Sequence, residues 1–219
     1  DGIGVEIDFN EAVYWWKKAA EKDDGEAQGH LGNCYYNGDG VEKNLKKAVY
    51  WWKKAALQDD AEGQFRLGHC YYYGEGVCQS NEDAFYWLKQ AAIRDNAIAQ
   101  NSVGECYWYG EGVEENFEEA AYWFERSAEQ GNAGGQRNLG DCYCIGRGVE
   151  RDLEKALYWW KRAAENGDAK AQDDLGDCYY DGRGVERDLE KAVYWYEKAA
   201  EQGLDISQNK LGDCYRMGE

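Results

Sequence analysis

A loop signature that recurs every 36 residues constrains this chain more than any other feature. Gly-x-Gly-Val stands at residues 2–5, 38–41, 74–77, 110–113, 146–149 and 182–185, with no insertion between copies. A fixed period of this size is typical of arrays in which each unit packs on the next. We therefore interpret residues 1–219 as a single array of about six repeats. Because Gly218 begins a further copy, we expect the array to be a fragment of a longer one.

Each repeat is predicted to contain two helices. A residue that favours helix N-caps stands three positions after each loop Val. The next segment has apolar residues at i, i+3, i+4, i+7 and i+8, as in Ala48, Trp51, Trp52, Ala55 and Ala56, which is one face of a helix. We call these the B helices and predict them at residues 9–22, 45–58, 81–94, 117–130, 153–166 and 189–202. The second set, the A helices, ends at the Gly-x-Gly loop, where left-handed glycine caps are favoured, and is predicted at 25–37, 61–73, 97–109, 133–145, 169–181 and 205–217.

The interior of each A helix carries a glycine, as in Leu31-Gly32 and Leu67-Gly68. A glycine inside a helix costs about 1 kcal/mol relative to alanine, so we expect the backbone of a neighbouring helix to approach closely there. Two short helices cannot bury their apolar faces alone, whereas stacked neighbours can. The predicted fold class is all-α, a right-handed α-solenoid of stacked antiparallel helix hairpins.

The repeats resemble a known family over the whole chain, and the clearest copy lies at residues 156–185. Ala156-Leu157-Tyr158-Trp159, Ala163 to Gly167, Ala169-Lys170-Ala171-Gln172 and Leu175 to Val185 resemble the Sel-one-like repeat, a relative of the tetratricopeptide repeat. The resemblance implies a scaffold or adaptor for protein interactions, with the A helices on its concave surface. It offers no catalytic motif, and we predict that the chain is not an enzyme.

The eight cysteines are interpreted as thiols. Six of them occupy one column of the A helices, namely Cys34, Cys70, Cys106, Cys142, Cys178 and Cys214. Stacked helices lie ~8–10 Å apart, whereas a disulfide needs Cα atoms within ~7 Å, so we expect small buried side chains. Cys78, in a loop, is the expected reactive thiol. Cysteine-rich secreted proteins resembling the family pair two cysteines where this chain has Ala56 and Gln64; together with the lack of a visible signal peptide, this favours a cytoplasmic protein.

Charge and composition exclude several classes of partner. The formal net charge is −18, which argues against nucleic acid, because phosphate neutralisation needs clusters of Lys and Arg. No segment approaches the ~20 apolar residues that span a bilayer, so membrane insertion is not expected. His30 and His69 have no convergent ligands, and we predict no metal or cofactor. The expected partner is a protein or peptide of basic or mixed charge, although acidity that only confers solubility remains an alternative.

The candidate binding residues lie in three columns of the A helices that vary between repeats. One column is His30, Arg66, Ser102, Asn138, Asp174 and Lys210; the next is Asn33, His69, Glu105, Asp141, Asp177 and Asp213; the third, at the helix end, is Asn37, Tyr73, Tyr109, Ile145, Asp181 and Met217. Aromatic anchors dominate many interfaces, and Phe65, Tyr73 and Tyr109 are the favoured ones. The predicted binding set is His30, Asn33, Phe65, Arg66, His69, Tyr73, Glu105, Tyr109, Asn138, Asp141, Asp174 and Asp177. An unconstrained surface would vary in the same way, which leaves that alternative open.

A second function class also fits the repeats. Array ends that expose complementary faces can stack head to tail in an open contact. The alternative to an adaptor is therefore a structural or self-associating repeat protein.

Overall fold

The computed structural model describes residues 6–217, without the side chain of Met217. The first predicted loop, residues 2–5, and the copy that begins at Gly218 lie outside these residues. The described chain consists of twelve α-helices and has no strand within residues 6–217. The helices are α1 (Phe9–Ala20), α2 (Gly25–Asn37), α3 (Leu45–Ala56), α4 (Ala61–Tyr73), α5 (Asn81–Ile93), α6 (Ala97–Tyr109), α7 (Phe117–Glu129), α8 (Ala133–Ile145), α9 (Leu153–Glu165), α10 (Ala169–Asp181), α11 (Leu189–Glu201) and α12 (Asp205–Met217). Odd numbers are B helices and even numbers are A helices.

The helix bounds follow the capping residues. The Asn44 side chain accepts a hydrogen bond from the backbone N–H of Lys47 and starts α3, and the equivalent residue does the same at every other B helix. Gly74 ends α4 in the left-handed conformation at φ +72. All six A helices have the predicted bounds, whereas the B helices end one or two residues earlier than predicted. They end early because the chain turns through a left-handed residue soon afterwards, at Asp59 in the first complete repeat.

The chain divides into two compact units, Asp1–Glu115 and Asn116–Glu219. In each unit every internal helix packs against its predecessor and its successor, as α4 does against α3 and α5. The result is a series of antiparallel helix hairpins, which confirms the all-α solenoid fold. The core of unit 1 includes Leu31 and Leu67, and that of unit 2 includes Leu139 and Leu175.

Several of the glycines that follow a leucine inside the A helices accommodate a large ring. A Cβ placed on Gly32 would overlap the indole ring of Trp52, and one on Gly140 would overlap the ring of Trp160. Each glycine therefore makes room for the large residue that follows it by twenty positions. At Gly68 a neighbouring backbone also comes close, as the sequence predicts, because a Cβ there would lie 3.0 Å from the backbone nitrogen of Leu88. The second glycine of the loop has another reason: at Gly76, φ is +75 and a Cβ would lie 2.6 Å from the Leu45 carbonyl oxygen.

A column of buried glutamines connects the two helices of successive hairpins. Gln28 donates through Nε2 to the carbonyl of Ala20 at 3.2 Å, and Gln64 donates to that of Ala56 at 3.1 Å. The same contact recurs at Gln100, Gln136 and Gln172. These bonds satisfy carbonyl groups that a helix C-terminus leaves without an intrahelical donor.

Candidate functional site

Eight of the twelve predicted residues lie in unit 1, on the A helices α2, α4 and α6. His30 stacks on Trp16 with 4.6 Å between ring centroids, which leaves it half-buried. Asn33 accepts a hydrogen bond from Trp52 Nε1 at 3.1 Å. Arg66 is held by Glu62, with 2.6 Å between Nε and Oε1. Three of these predicted residues therefore also have structural partners within unit 1.

The imidazole of His69 lies between two other predicted residues. Its centroid is 4.5 Å from the ring of Tyr73 and 6.3 Å from that of Phe65. Tyr73 is 61% exposed, whereas Phe65 is only 9% exposed. Phe65 therefore belongs to the wall of the site, and Tyr73 forms its open edge.

These aromatic rings surround a cavity of about 100 Å³ in unit 1. Its walls come from α4, α5, α6 and the loop after α6, and the lining residues are Phe65, His69, Tyr72, Tyr73, Leu88, Ser102, Glu105, Cys106 and Glu111. Four predicted residues, Phe65, His69, Tyr73 and Glu105, are thus brought together. Tyr109, which is 68% exposed at the end of α6, is not part of the lining.

One wall of the cavity is formed by Leu88, which stands where other repeats have a large ring. Trp52 and Trp160 fill the equivalent space beside their glycines and are almost completely buried. Leu88 is also buried, with its Cγ 2.8 Å from a Cβ placed on Gly68. Leucine is smaller than tryptophan and has no ring to place beside Gly68, and the cavity borders Leu88.

The polar groups of the cavity are arranged around a carboxylate. The Tyr72 hydroxyl donates to Glu111 Oε2 at 2.7 Å, and this bond together with burial raises the pKa of Tyr72. Glu105 accepts a hydrogen bond from Asn101 at 3.1 Å. Burial lowers the pKa of His69, although Glu75 opposes that change. Burial therefore favours the neutral form of His69, and the acidic side chains that line the cavity are Glu105 and Glu111.

The predicted residues of unit 2 lie on α8 and α10, and three of the four are acidic. Asp141 accepts hydrogen bonds from Trp160 Nε1 at 2.8 Å and from Arg137 Nη1 at 3.3 Å. Asp177 accepts from the Tyr196 hydroxyl at 2.8 Å and from Lys210 Nζ at 2.6 Å. Each carboxylate therefore has partners within its own unit.

Asp174 is the most perturbed carboxyl of this group. Burial, followed by the charges of Asp141, Asp173 and Asp177, raises the pKa of Asp174 to about 7. Arg137 acts in the opposite direction with a smaller effect. Asp174 therefore titrates near neutral pH. Asn138, on α8, is half-buried.

The thiols of the A-helix column are buried, as predicted. Burial raises the pKa of Cys70, Cys106 and Cys142 to about 12, which suppresses the thiolate that reacts with electrophiles. No disulfide joins any of the cysteines within residues 6–217, and Cys78 is exposed. Among residues 6–217 there is no group of three His, Cys, Asp or Glu residues that could hold a metal ion. In the same part of the chain no helix is long and apolar enough to cross a membrane.

Sequence reasoning missed the residues that complete the cavity, above all Leu88, Tyr72 and Glu111. The sequence does contain one indication of the cavity: Leu88 occupies the position at which other repeats have Trp52 and Trp160. A smaller residue opposite an unchanged glycine indicates a gap, and the side chains of the next A helix then become its wall.

The family model of the Sel1 repeat matches the chain throughout. The matched segments are residues 1–24, 25–60, 61–96, 97–132, 133–168, 169–204 and 205–219. Each complete segment consists of an A helix followed by a B helix, so the family model gives seven matched segments where about six repeats were expected.

Two crystal structures share the fold at substantial sequence identity. The first is c5321, a protective antigen present in uropathogenic Escherichia coli strains displaying an SLR fold, with 37% identity, a TM-score of 0.88, and coverage of 100% of this chain and 47% of c5321. The second is a Sel1 repeat protein from Oxalobacter formigenes, with 34% identity, a TM-score of 0.88, and coverage of 96% of this chain and 86% of that protein. This chain thus spans about half the length of c5321.

The comparison with curated protein sequences gave no match. Proteins of the Sel1 repeat family are generally non-enzymatic scaffolds for protein interactions. The matched segments, the helix hairpins and the two related crystal structures lead to one conclusion: this chain belongs to the Sel1 repeat family.

Proposed function

We propose that this chain is a non-enzymatic scaffold whose A-helix face binds a segment of another protein. The observation that carries the proposal is the pair of exposed rings at the ends of α4 and α6. Tyr73 and Tyr109 are 61% and 68% exposed and occupy the same column of successive repeats. Tyr73 also lines the aromatic cavity, so an apolar patch and a recess lie side by side.

The spacing of the two rings suits an extended segment. Packed helices lie roughly 8–10 Å apart, and an extended chain rises about 3.3 Å per residue. Side chains about three residues apart in a partner segment could therefore contact Tyr73 and Tyr109 in turn. Tyrosine presents a large contact area with few rotatable bonds, which is why it is frequent at interfaces.

The charges of the chain favour a basic or mixed-charge segment. The formal net charge is −18, and long-range attraction by a charged protein accelerates association with partners of opposite sign. In unit 2, Asp141, Asp174 and Asp177 place further carboxylates on A helices, and in unit 1 Glu105 and Glu111 lie at the cavity.

Selection from a random peptide library displayed on phage tests this function. Peptides enriched on the wild-type protein are measured by calorimetry against the double variant Tyr73→Ser/Tyr109→Ser. We expect that variant to weaken binding by at least about tenfold, because removing a buried aromatic anchor costs about 2 kcal/mol or more.

The matched control is Tyr50→Ser/Tyr86→Ser, which removes two rings from the B helices that are 53% and 55% exposed. We expect it to leave affinity unchanged. Equal losses for the two double variants would contradict binding at the A-helix face. Light scattering against concentration separates this function from head-to-tail self-association, which would give growing particles without any peptide.

A further inference from the structure

The cavity beside Leu88 combines aromatic walls with negative charge. Phe65, Tyr72 and Tyr73 supply rings, Glu105 and Glu111 supply carboxylates, and no Lys or Arg is among the nine lining residues. A recess of this composition favours a cation that also presents an apolar face, because aromatic rings attract cations through their negative faces.

Glu111 has acceptor positions beyond the one that Tyr72 uses. Its Oε2 atom accepts the hydrogen bond of Tyr72, a neutral donor, and a carboxylate has about four acceptor positions on its two oxygens. His69 is the only one of the nine lining residues that could carry a positive charge, and its burial disfavours the protonated form. A ligand cation would therefore meet a carboxylate without competing with a cationic wall residue.

We propose that this cavity binds the side chain of an arginine in the partner segment, an inference that rests on the proposed function. A guanidinium group is planar, stacks on aromatic faces and donates two parallel hydrogen bonds to one carboxylate. Tyr72 and Tyr73 provide the rings, and Glu111 provides the acceptor. Lysine, with a compact and strongly hydrated charge, fits this combination less well.

The composition of this recess is specific to this repeat. The equivalent recess in unit 2, of about 220 Å³, has Lys210 among its lining residues, and a lysine there repels a second cation. In two other repeats a tryptophan fills the space. Trp52 fills the space beside Gly32, and Trp160 fills that beside Gly140. At Leu88 the glycine remains and the ring is missing, and the cavity there has a volume of about 100 Å³. That volume fits a single side chain, not a folded ligand.

The probe that tests the site is N-acetyl-L-arginine amide, titrated into isotopically labelled protein and followed by NMR. The control ligand is N-acetyl-L-citrulline amide, which has nearly the same shape but no charge. We expect saturable shifts at the backbone amides of residues 65–73 and 102–111, and roughly tenfold or greater weakening with citrulline, since a hydrogen bond to a charged group contributes about 1.5–3 kcal/mol. Equal shifts with both ligands, or no saturable shift with arginine, would overturn the inference.

Two variants localise the binding. Leu88→Trp restores the residue found at positions 52 and 160, opposite the glycine that accommodates it, and we expect it to fold and to abolish binding. Glu111→Gln keeps an acceptor for Tyr72 and should weaken binding at least tenfold through loss of the charge. The matched control is Glu82→Gln, an exposed carboxylate in the first turn of α5. Unchanged arginine binding in Glu111→Gln would contradict the assignment, even if Leu88→Trp failed to fold.

Failure of this inference is distinguishable from failure of the proposed function. If selected peptides bind through Tyr73 and Tyr109 but Leu88→Trp leaves their affinity unchanged, the arginine site is wrong and the scaffold function stands. If neither selected peptides nor the arginine probe bind, both are wrong.

Discussion

The indole Nε1 of Trp160 donates a hydrogen bond to Asp141 Oδ1 at 2.8 Å, across the junction between α8 and α9. Trp52 and Asn33 make the equivalent bond in unit 1 at 3.1 Å. In both cases the donor follows the acceptor by 19 residues. This bond connects a predicted binding column to the core. Leu88 occupies the position equivalent to Trp52 in the next repeat, and a leucine side chain has no such donor.

Removal of the donor should destabilise unit 2 more than the loss of ring area alone. Trp160→Phe leaves the largely buried Asp141 carboxylate with one donor fewer, and we expect the free energy of unfolding to fall by about 1–3 kcal/mol beyond the packing loss. Trp123→Phe is the control, because Trp123 is 6% exposed and its Nε1 atom is buried without a hydrogen-bond partner. Urea denaturation compares the two variants, and equal costs would show that the bond to Asp141 contributes nothing.

Asp174 should make stability depend on pH. Its folded-state pKa of about 7 lies above the ordinary value of about 3.9, so the folded state binds more protons than the unfolded state between these values. The contribution of Asp174 to the free energy of unfolding is therefore greatest below about pH 4. It falls as the pH rises toward 7 and is constant above that.

Asp174→Asn should remove this dependence. Because the carboxyl is only half-buried by surface area, we expect a gain of about 2 kcal/mol at pH 8 rather than the full value of the shift, and no gain at pH 4. Urea denaturation at both pH values measures this, with the exposed Asp181→Asn as control. A gain of the same size at both pH values would contradict the assigned titration.

Arg94 occupies a position at which other repeats carry an amide. Gln58 donates to Gln28 Oε1 at 2.8 Å, and Gln202 donates to Gln172 in the same way. Arg94 instead pairs with Asp59, and Gln64 Oε1 is buried without a hydrogen-bond partner.

Arg94→Gln should therefore stabilise the chain. The new amide can donate to Gln64 Oε1, and satisfying a buried acceptor contributes about 1 kcal/mol, whereas the exposed ion pair with Asp59 contributes less. Thermal unfolding compares this variant with Arg94→Ala, which loses the same ion pair and supplies no donor. If the two variants have the same melting temperature, the missing hydrogen bond is not what limits stability there.

The turns after the B helices contain a left-handed residue, and its conformational free-energy cost differs between repeats. Asp23 adopts φ +62, whereas Gly167 occupies the equivalent position at φ +90. A left-handed conformation costs a non-glycine residue roughly 1 kcal/mol, and a Cβ added at Gly167 meets no atom within 4 Å. We expect Asp23→Gly to raise the unfolding free energy by about 0.5–1 kcal/mol and Gly167→Ala to lower it by a similar amount. Calorimetric unfolding of both variants is the measurement, and changes of equal sign would contradict the backbone explanation.

Local signals explain how much of the fold could be predicted. The A helices match the prediction because a side-chain cap starts them and a left-handed glycine such as Gly74 ends them. The B helices are followed by a left-handed residue that is an aspartate in some repeats, such as Asp59, and a glycine in others, such as Gly167. Their ends depend on this turn geometry, which the apolar pattern does not encode.

The candidate site could be predicted only in part. The variable columns brought Phe65, His69 and Tyr73 together, because residues three and four apart share a helix face. The cavity itself depends on the fit of a side chain against a glycine twenty positions earlier, as at Leu88 and Gly68. A contact of that kind belongs to packing between helices and is not visible in the pattern of one helix.

Hydrogen–deuterium exchange of the chain with and without a selected peptide tests the central claim most directly. We expect slower exchange on binding at residues 65–76 and 102–112, where α4 and α6 carry Tyr73 and Tyr109 and the cavity opens. We expect unchanged exchange in α1 and α3, which carry the exposed Tyr14 and Tyr50. Protection confined to α1 and α3 would contradict the proposal that the A-helix face binds a protein segment.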